Sequence, residues 1–292
     1  FAQRRLSPAL WLLAPLAGVY SALAAADRAR ARPERLPVPV IVVGNITVGG
    51  AGKTPLTIWL AGELTARGWR PGIVSRGYGG DQAAPRPVTA TALPAEVGDE
   101  PVLLHRRSGA PVWVGHDRVA AGRALLAASP EVNIILCDDG LQHYRLARDV
   151  ELAVFDGRGA GNGWRLPAGP LREPLARLAG VAAVICNGPP DERIPPAPPR
   201  FAMRLRPGAF YRLDDPRQLC AAGDLAGRRL HALAGIGDPG RFFRTLKALG
   251  LVFAEHPFPD HHAYRAADLA FAGDGVLLMT EKDAVKCAGL TA

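Results

Sequence analysis

The chain has 292 residues, of which 48% are hydrophobic and 21% charged, and its formal net charge is +8 at pH 7. These proportions exclude a disordered or collagen-like chain, and the length allows one large domain or two ordinary ones. The charge is carried almost wholly by arginine, the lysines being Lys53, Lys247, Lys282 and Lys286; a basic balance points to anionic partners (phosphates, acidic lipid or nucleic acid) without choosing among them.

The first element is apolar. Leu6 to Ala26 carries no charged side chain, with Arg4 and Arg5 before it and Asp27, Arg28, Arg30 and Arg32 after it. Its length suits a transmembrane helix, but Pro15, Gly18 and many alanines weaken its hydrophobicity. Ala24-Ala25-Ala26 would suit the cleavage site of a secretory signal. A core helix of a soluble domain is the plain alternative. The favoured reading is a helix in the membrane interface, with Leu10, Trp11, Leu13, Leu16, Tyr20 and Leu23 in lipid and arginines on anionic head groups. The nucleotide chemistry that follows needs the cytoplasm, which argues against export.

Val38–Val43 is a short, β-branched run that predicts a buried strand, and Leu56–Arg67 predicts a helix. Further apolar runs lie at Gly72–Ser75, Pro111–Val114, Val132–Cys137, Leu152–Phe155 and Val181–Cys186, with a helical segment at Arg118–Ala128. Strands alternating with helices imply a mostly parallel sheet covered on both faces. Gly188–Arg200 holds six prolines and reads as a linker or domain edge. Beyond it, Leu230–Ala234, a helix around Arg241–Leu249, Leu251–Ala254 and Val276–Thr280 predict a second, smaller α/β unit. Cys137, Cys186, Cys220 and Cys287 form no CxxC pair, so a reducing compartment is the simplest setting.

Between the first strand and the first helix lies Gly44-Asn45-Ile46-Thr47-Val48-Gly49-Gly50-Ala51-Gly52-Lys53-Thr54. Its Gly52-Lys53-Thr54 ending is that of a Walker A loop. Gly49, Gly50 and Gly52 let backbone N–H groups turn toward phosphate oxygens, and the helix that follows adds its positive end. Lys53 can reach the β- and γ-phosphates and Thr54 can ligate Mg²⁺. Thr47 stands where the general pattern has its first glycine. The run Val132–Cys137 ends in Asp138-Asp139, as a Walker B strand requires, and one of these carboxylates can hold Mg²⁺.

Several ordered segments resemble one family, the tetraacyldisaccharide 4′-kinases of Gram-negative bacteria. They are GNITVGGAGKTP, SRGYGG (Ser75–Gly80), GDEP (Gly98–Pro101), DDGLQH (Asp138–His143), LREP (Leu171–Pro174), AGIGDPGRFF (Ala234–Phe243), FPDHHAY (Phe258–Tyr264) and TEKDAVK (Thr280–Lys286). Thr47 fits that family's own loop. The resemblance implies ATP and Mg²⁺ as cofactors, and an acylated disaccharide phosphate lipid phosphorylated on its 4′-hydroxyl. It also implies two α/β/α domains and an N-terminal helix seated in the inner membrane, on its cytoplasmic face. The expected architecture is α/β: a P-loop-type α/β/α sandwich with a second, smaller α/β domain and an N-terminal membrane-associated helix. Its expected segments are 1–35 (membrane-interface helix), 36–200 (kinase domain), 201–229 (linker) and 230–292 (smaller domain), with a C-terminus cut short relative to the family.

The same resemblance assigns roles. Thr47, Gly49, Gly50, Ala51, Gly52, Lys53 and Thr54 would hold ATP, with Thr54, Asp139 and Glu173 serving Mg²⁺. Lys53, Asp138 and Asp139 would act at the transferring phosphate. Asp99, paired with a histidine of FPDHH (His261 first, His262 next), would take the proton of the acceptor hydroxyl. Arg76, His143 and His262 would meet substrate, and three of the four lysines fall in the matching motifs. Asp99 would also suit a helix N-cap ahead of Glu100-Pro101.

Rival readings remain visible. Gly235-Ile236-Gly237-Asp238-Pro239-Gly240, with Glu255 beyond it, fits a dinucleotide fingerprint, although Pro239 sits inside the turn. His256, Asp260, His261 and His262 invite a zinc site. A membrane-associated nucleotide switch or adaptor with the same loop is the non-enzymatic alternative. A nucleic-acid partner is not expected, because arginines are scattered and aromatics are 7%.

Overall fold

The apolar runs pair side by side into one sheet and leave their C-terminal ends on a common edge. The computed structural model describes residues 8–77, 84–196 and 198–290; Arg4, Arg5, Leu6 and Tyr78–Gly80 of the expected motifs lie outside them. A 3-10 turn (Pro8–Leu13) leads into α1 (Ala14–Arg30), and β1 (Val40–Gly44), α2 (Lys53–Ala66) and β2 (Pro71–Ser75) follow. Next come β3 (Arg86–Val88), α3 (Pro94–Val97), α4 (Asp99–Ser108), β4 (Val112–Val114) and α5 (Arg118–Ala128). The large sheet is completed by β5 (Ile134–Asp138), β6 (Val150–Asp156), β7 (Ala183–Asn187) and β8 (Arg200–Met203).

Its strand order is β3-β4-β2-β5-β1-β6-β7-β8, parallel except for the edge strand β3. β1 lies between β5 and β6, with Val42 opposite Cys137 and Val43 opposite Leu152. Alternate residues of these strands feed two cores. Val42, Val74, Ile135, Cys137 and Phe155 pack with Val119 and Leu125 of α5. Ile73, Val112 and Leu136 pack with Ala61 of α2 and Val102 and Leu104 of α4. Burial on both faces explains why the strands read as unbroken apolar runs.

The Pro-rich stretch after β7 loops back to the same sheet. Ile194 within it is fully buried in the first core, and β8 beyond it pairs with β7. The sheet therefore continues to Met203, past the expected edge at residue 200.

A small hairpin, β9 (Phe210–Tyr211) with β10 (Leu219–Cys220), precedes β11 (Leu230–Ala234), α6 (Pro239–Ala248), β12 (Ala254–Pro257), α7 (Ala266–Leu269), β13 (Val276–Met279) and α8 (Glu281–Cys287). The second sheet is parallel, in the order β12-β11-β13. Leu230, Ala232 and Leu278 face Phe243 and Leu246 of α6, whereas Leu233 faces Tyr264 and Leu269 on the other side. The expected strand Leu251–Ala254 begins later, at Ala254. Leu251 is drawn into the core below α6 and leaves the ladder to a polar edge segment. α8 crosses back, and its Val285 packs in the core beneath α4.

α1 buries little. Only Ala17 is fully buried, and Leu12, Leu16, Val19 and Leu23 stand exposed at helical spacing. Leu10–Arg30 is long and apolar enough to cross a membrane by length and composition. The helix is held by small contacts: Trp11 meets Trp164 edge-on at 5.2 Å, and Arg28 lies 5.0 Å over the Tyr144 ring.

Candidate active site at the interdomain cleft

The phosphate loop closes on the edge where β1, β5, β6 and β7 end. Gly49 and Gly52 have φ of 96° and 99°, which side-chain-bearing residues rarely adopt. A Cβ on Gly52 would stand 2.6 Å from Asn187 Nδ2, so glycine is required there on two counts. Lys53 and Thr54 open α2 and are both buried. Lys53 Nζ lies 3.6 Å from Asp139 Oδ1, and Arg172 Nη1 reaches the same oxygen at 3.4 Å. Thr47, Gly49, Gly50, Ala51, Gly52, Lys53 and Thr54 all lie between the end of β1 and the first turn of α2.

The two adjacent carboxylates differ. Asp138 is fully buried and accepts from Thr57 Oγ1 at 3.1 Å, while its Oδ2 is buried with no hydrogen-bond partner among the described residues. Burial, with the nearby Glu100 charge, raises Asp138 to about 7. Burial also opposes ionisation of Asp139, but Lys53 and Arg172 outweigh it and hold that carboxyl below its ordinary value. An orphaned carboxylate oxygen beside a lysine-lined loop is the chemistry of a hard cation site. Mg²⁺ needs only one or two protein carboxylates, a hydroxyl such as that of Thr54, phosphate oxygens and water, so the residues present fit it. Among the described residues, no group of three or more His, Cys, Asp and Glu side chains is clustered to hold a metal without a nucleotide.

The dyad is built across the chain. GDEP places Asp99 at the first residue of α4, with Gly98 as the cap; Asp99 therefore lies inside the helix and is not the N-cap. Its Oδ1 accepts from the Glu100 N–H, and its Oδ2 meets His261 Nδ1 at 3.1 Å. Lys282 at the start of α8 stands 3.1 Å from Glu100, 3.4 Å from Asp260 and 3.9 Å from Asp99. Burial disfavours the Asp99 carboxylate, but the His261 hydrogen bond and the Lys282 charge hold it below its ordinary value. The hydrogen bond to Asp99 raises His261 above the usual imidazole range. The cleft between domains is narrow here: a Cβ on Gly237 would lie 3.4 Å from Asp260 Oδ2 and 3.8 Å from Gly50 N.

Among the described residues, the non-glycine residues with positive φ are Asp139 (49°) and His261 (59°). Such backbone costs roughly 1–3 kcal/mol and persists where the surroundings hold it, commonly at functional sites. Both fall on the two sides of this cleft.

Other expected site residues are placed elsewhere. Glu173 is buried, its oxygens accepting from Gln142 at 2.7 Å and from the Tyr144 hydroxyl, with Arg177 3.6 Å away; both oxygens are engaged. His143 Nε2 accepts from the Arg118 N–H at 3.2 Å; burial and the Arg118 charge push its pKa down to about 4. His262 turns into the small domain, 3.1 Å from Asp268 and against Phe258 and Tyr264. Arg76 is exposed just beyond β2.

The zinc grouping is dispersed. His261 meets Asp99, His262 meets Asp268, and His256 stacks on Phe271 beside His231. The dinucleotide-like turn is occupied by its own protein: the Gly235 N–H donates to Asp283 at 3.1 Å, and Glu255 pairs with Lys247 at 2.7 Å. Arg158, Asn187, Arg172, Gln142 and Arg241 all reach the loop or its partners without having been singled out. Their one sequence signal is position, at the ends of strands or within the matching motifs.

A strand–GKT loop–helix unit with an acidic pair on the neighbouring strand defines a P-loop enzyme of the nucleotide-dependent phosphotransferase class. Residues 9–292 match the family model LpxK, described as tetraacyldisaccharide-1-P 4′-kinase. A Dechloromonas aromatica protein named tetraacyldisaccharide 4′-kinase is 68% identical, covering 100% of this chain and 88% of its own length. One of the same name from Chromobacterium violaceum is 55% identical, covering 95% and 84%. A crystal structure of Aquifex aeolicus LpxK in complex with ATP superposes with a TM-score of 0.81 at 30% identity, covering 96% of this chain and 90% of that one. The chain belongs to the tetraacyldisaccharide-1-P 4′-kinase family.

Proposed function

We propose that this chain transfers the γ-phosphate of ATP to the 4′-hydroxyl of a tetraacyldisaccharide 1-phosphate at the cytoplasmic face of the bacterial inner membrane, with the Asp99–His261 dyad receiving the hydroxyl proton. The observation that carries the reading is that dyad, a 3.1 Å contact between the two domains beside a loop that can hold ATP. Phosphoryl transfer needs positioning and charge neutralisation more than covalent chemistry. The loop N–H groups hold the phosphates, and Lys53 meets the charge that develops on the leaving oxygen. Thr54, Asp138 and Asp139 are the residues that would hold Mg²⁺, which when bound neutralises phosphate charge. Arg172 and Lys53 keep Asp139 ionised for this role. Asp99, buried and acidic, keeps the imidazole in place, and the pair accepts the proton as one titrating unit.

The exposed stripe Leu12–Leu16–Val19–Leu23 supports a membrane surface as the partner of α1, with Arg28 and Arg30 at its end. A helix held at the membrane would bring the active site to a lipid acceptor.

The test is transfer of ³²P from γ-labelled ATP to a tetraacyldisaccharide 1-phosphate in detergent micelles. Labelled lipid is expected; a folded, full-length protein that yields none sinks the assignment. Deleting residues 1–26 is expected to release the protein from anionic vesicles in a flotation assay, and continued flotation removes α1 as the anchor.

A further inference from the structure

Three successive carbonyls of the phosphate loop each accept from a side chain. Asn45 Nδ2 donates to Gly49 O at 3.2 Å, Arg158 Nη2 to Gly50 O at 3.2 Å and Asn187 Nδ2 to Ala51 O at 3.1 Å. A loop that turns its N–H groups toward phosphates must turn carbonyls away, and one on a buried residue, as at Ala51, needs a donor. Arg158 is in turn anchored by Asp156, and the Asn45 carbonyl by Gln142.

Asn187 differs in reaching the small domain. It ends β7, is nearly fully buried, and its Oδ1 accepts from Arg241 Nη2 at 2.8 Å. Arg241 stands in the first turn of α6, where its own N–H is held by Asp238. A side-chain amide has a donor end and an acceptor end. A guanidinium on Oδ1 fixes which way the amide faces, so Nδ2 is presented to Ala51. The absence of a side chain at Gly52 leaves room for this amide, since a Cβ there would stand 2.6 Å from Nδ2.

We infer that Asn187 is a positioning residue for the nucleotide, coupling the seating of the small domain to the shape of the phosphate loop, with Arg241 as its interdomain partner. With Arg241 withdrawn, the amide loses its fixed orientation and the Ala51 carbonyl loses its donor. The loop is then less well shaped for phosphates. The inference rests on the loop being the ATP site.

The test is calorimetric binding of MgATP without lipid acceptor, together with steady-state kinetics and thermal melts. Asn187→Ala is expected to weaken ATP binding about tenfold and Arg241→Ala about threefold, the scale of one net hydrogen bond. In the double variant Arg241→Ala is expected to add nothing to Asn187→Ala, because it acts through that amide. Arg241→Lys is expected to recover most of the loss, and KM for the lipid to stay within about twofold. Multiplicative effects of the two changes, or wild-type ATP affinity in Arg241→Ala, overturns the inference. So does a lowered melting temperature with unchanged ATP affinity. If Asn187→Ala fails to fold, Arg241→Ala and Arg241→Lys carry the test. Failure of the wild type to phosphorylate lipid overturns the kinase reading, while the ATP-binding comparison still judges Asn187.

Discussion

The phosphate loop and the Asp99–His261 dyad are built in opposite ways. The loop is contiguous: residues 44–54 supply its glycines, its lysine and its threonine, and β1 and α2 fix its two ends. The dyad joins residues 162 positions apart, from two domains, and exists only when the domains are seated together. The loop also draws support from afar, through Asn187 and Arg158, but its identity is local. A local site keeps its phosphate-binding groups whatever the domains do, with its shape tuned through Asn187; a site split across domains is complete only when they are seated together. This division suits an enzyme that must keep water from the phosphate until the acceptor is present.

The comparison can be broken most strongly at Lys53. Lys53→Ala is expected to lower kcat by ~10³-fold or more, since the charge on the transferring phosphate loses its main cation. Single-turnover ³²P transfer measures this; a loss under tenfold would show that Arg172 can replace it.

Next, Asp99→Ala is expected to lower kcat by ~10²–10⁴-fold, the range of general acid–base catalysis, while leaving ATP affinity near wild type. Isothermal calorimetry alongside the kinetic assay separates the two. A parallel loss of ATP binding would mean that the dyad and the loop are one site after all.

The seating of the small domain gives a stability test. Asp283 is fully buried, with Lys286 at 2.9 Å, the Tyr264 hydroxyl at 3.0 Å and the Gly235 N–H at 3.1 Å. Lys286→Met leaves that carboxylate without its counter-charge and is expected to cost about 3–5 kcal/mol in urea unfolding. An unchanged midpoint would mean that Tyr264, Thr280 and the Gly235 N–H hold that carboxylate without Lys286.

The smallest effect is in the pH profile. Their hydrogen bond raises the His261 pKa, against burial and the Lys282 charge, and the same bond with the Lys282 charge lowers that of Asp99. The His261 contribution to the contact is full below the unfolded imidazole value of 6.5 and fades as pH rises through the raised folded value. The Asp99 contribution is present above the unfolded carboxylate value of 3.8 and fades as pH falls through the lowered folded one. The interdomain contact is therefore firmest between those two reference values. Proton acceptance needs the unprotonated dyad, so the acid limb of kcat is expected above 6.5, and Asp99→Asn is expected to move it down. A limb that ignores Asp99→Asn would assign it to a group outside the dyad.

Much of this protein was legible in the chain itself. Apolar runs such as Val38–Val43 and Val132–Cys137 read as buried strands because they are short and rich in β-branched residues. The Gly52-Lys53-Thr54 ending announced a phosphate site because backbone N–H geometry and a lysine suffice to make one. Tertiary structure decided what depends on distant partners. Glu173 has the right chemistry for a metal, yet Gln142, Tyr144 and Arg177 engage its carboxylate. His261 and His262 are neighbours in sequence, but the positive φ at His261 helps send one to Asp99 while the other meets Asp268. Asn187 lies just past the apolar run Val181–Cys186 and carries no signal of its own; only the fold sets the loop on one side of its amide and Arg241 on the other. Local geometry is written in neighbouring residues; which carboxylate is spent on a neighbour and which is kept for chemistry is settled only when the chain is folded.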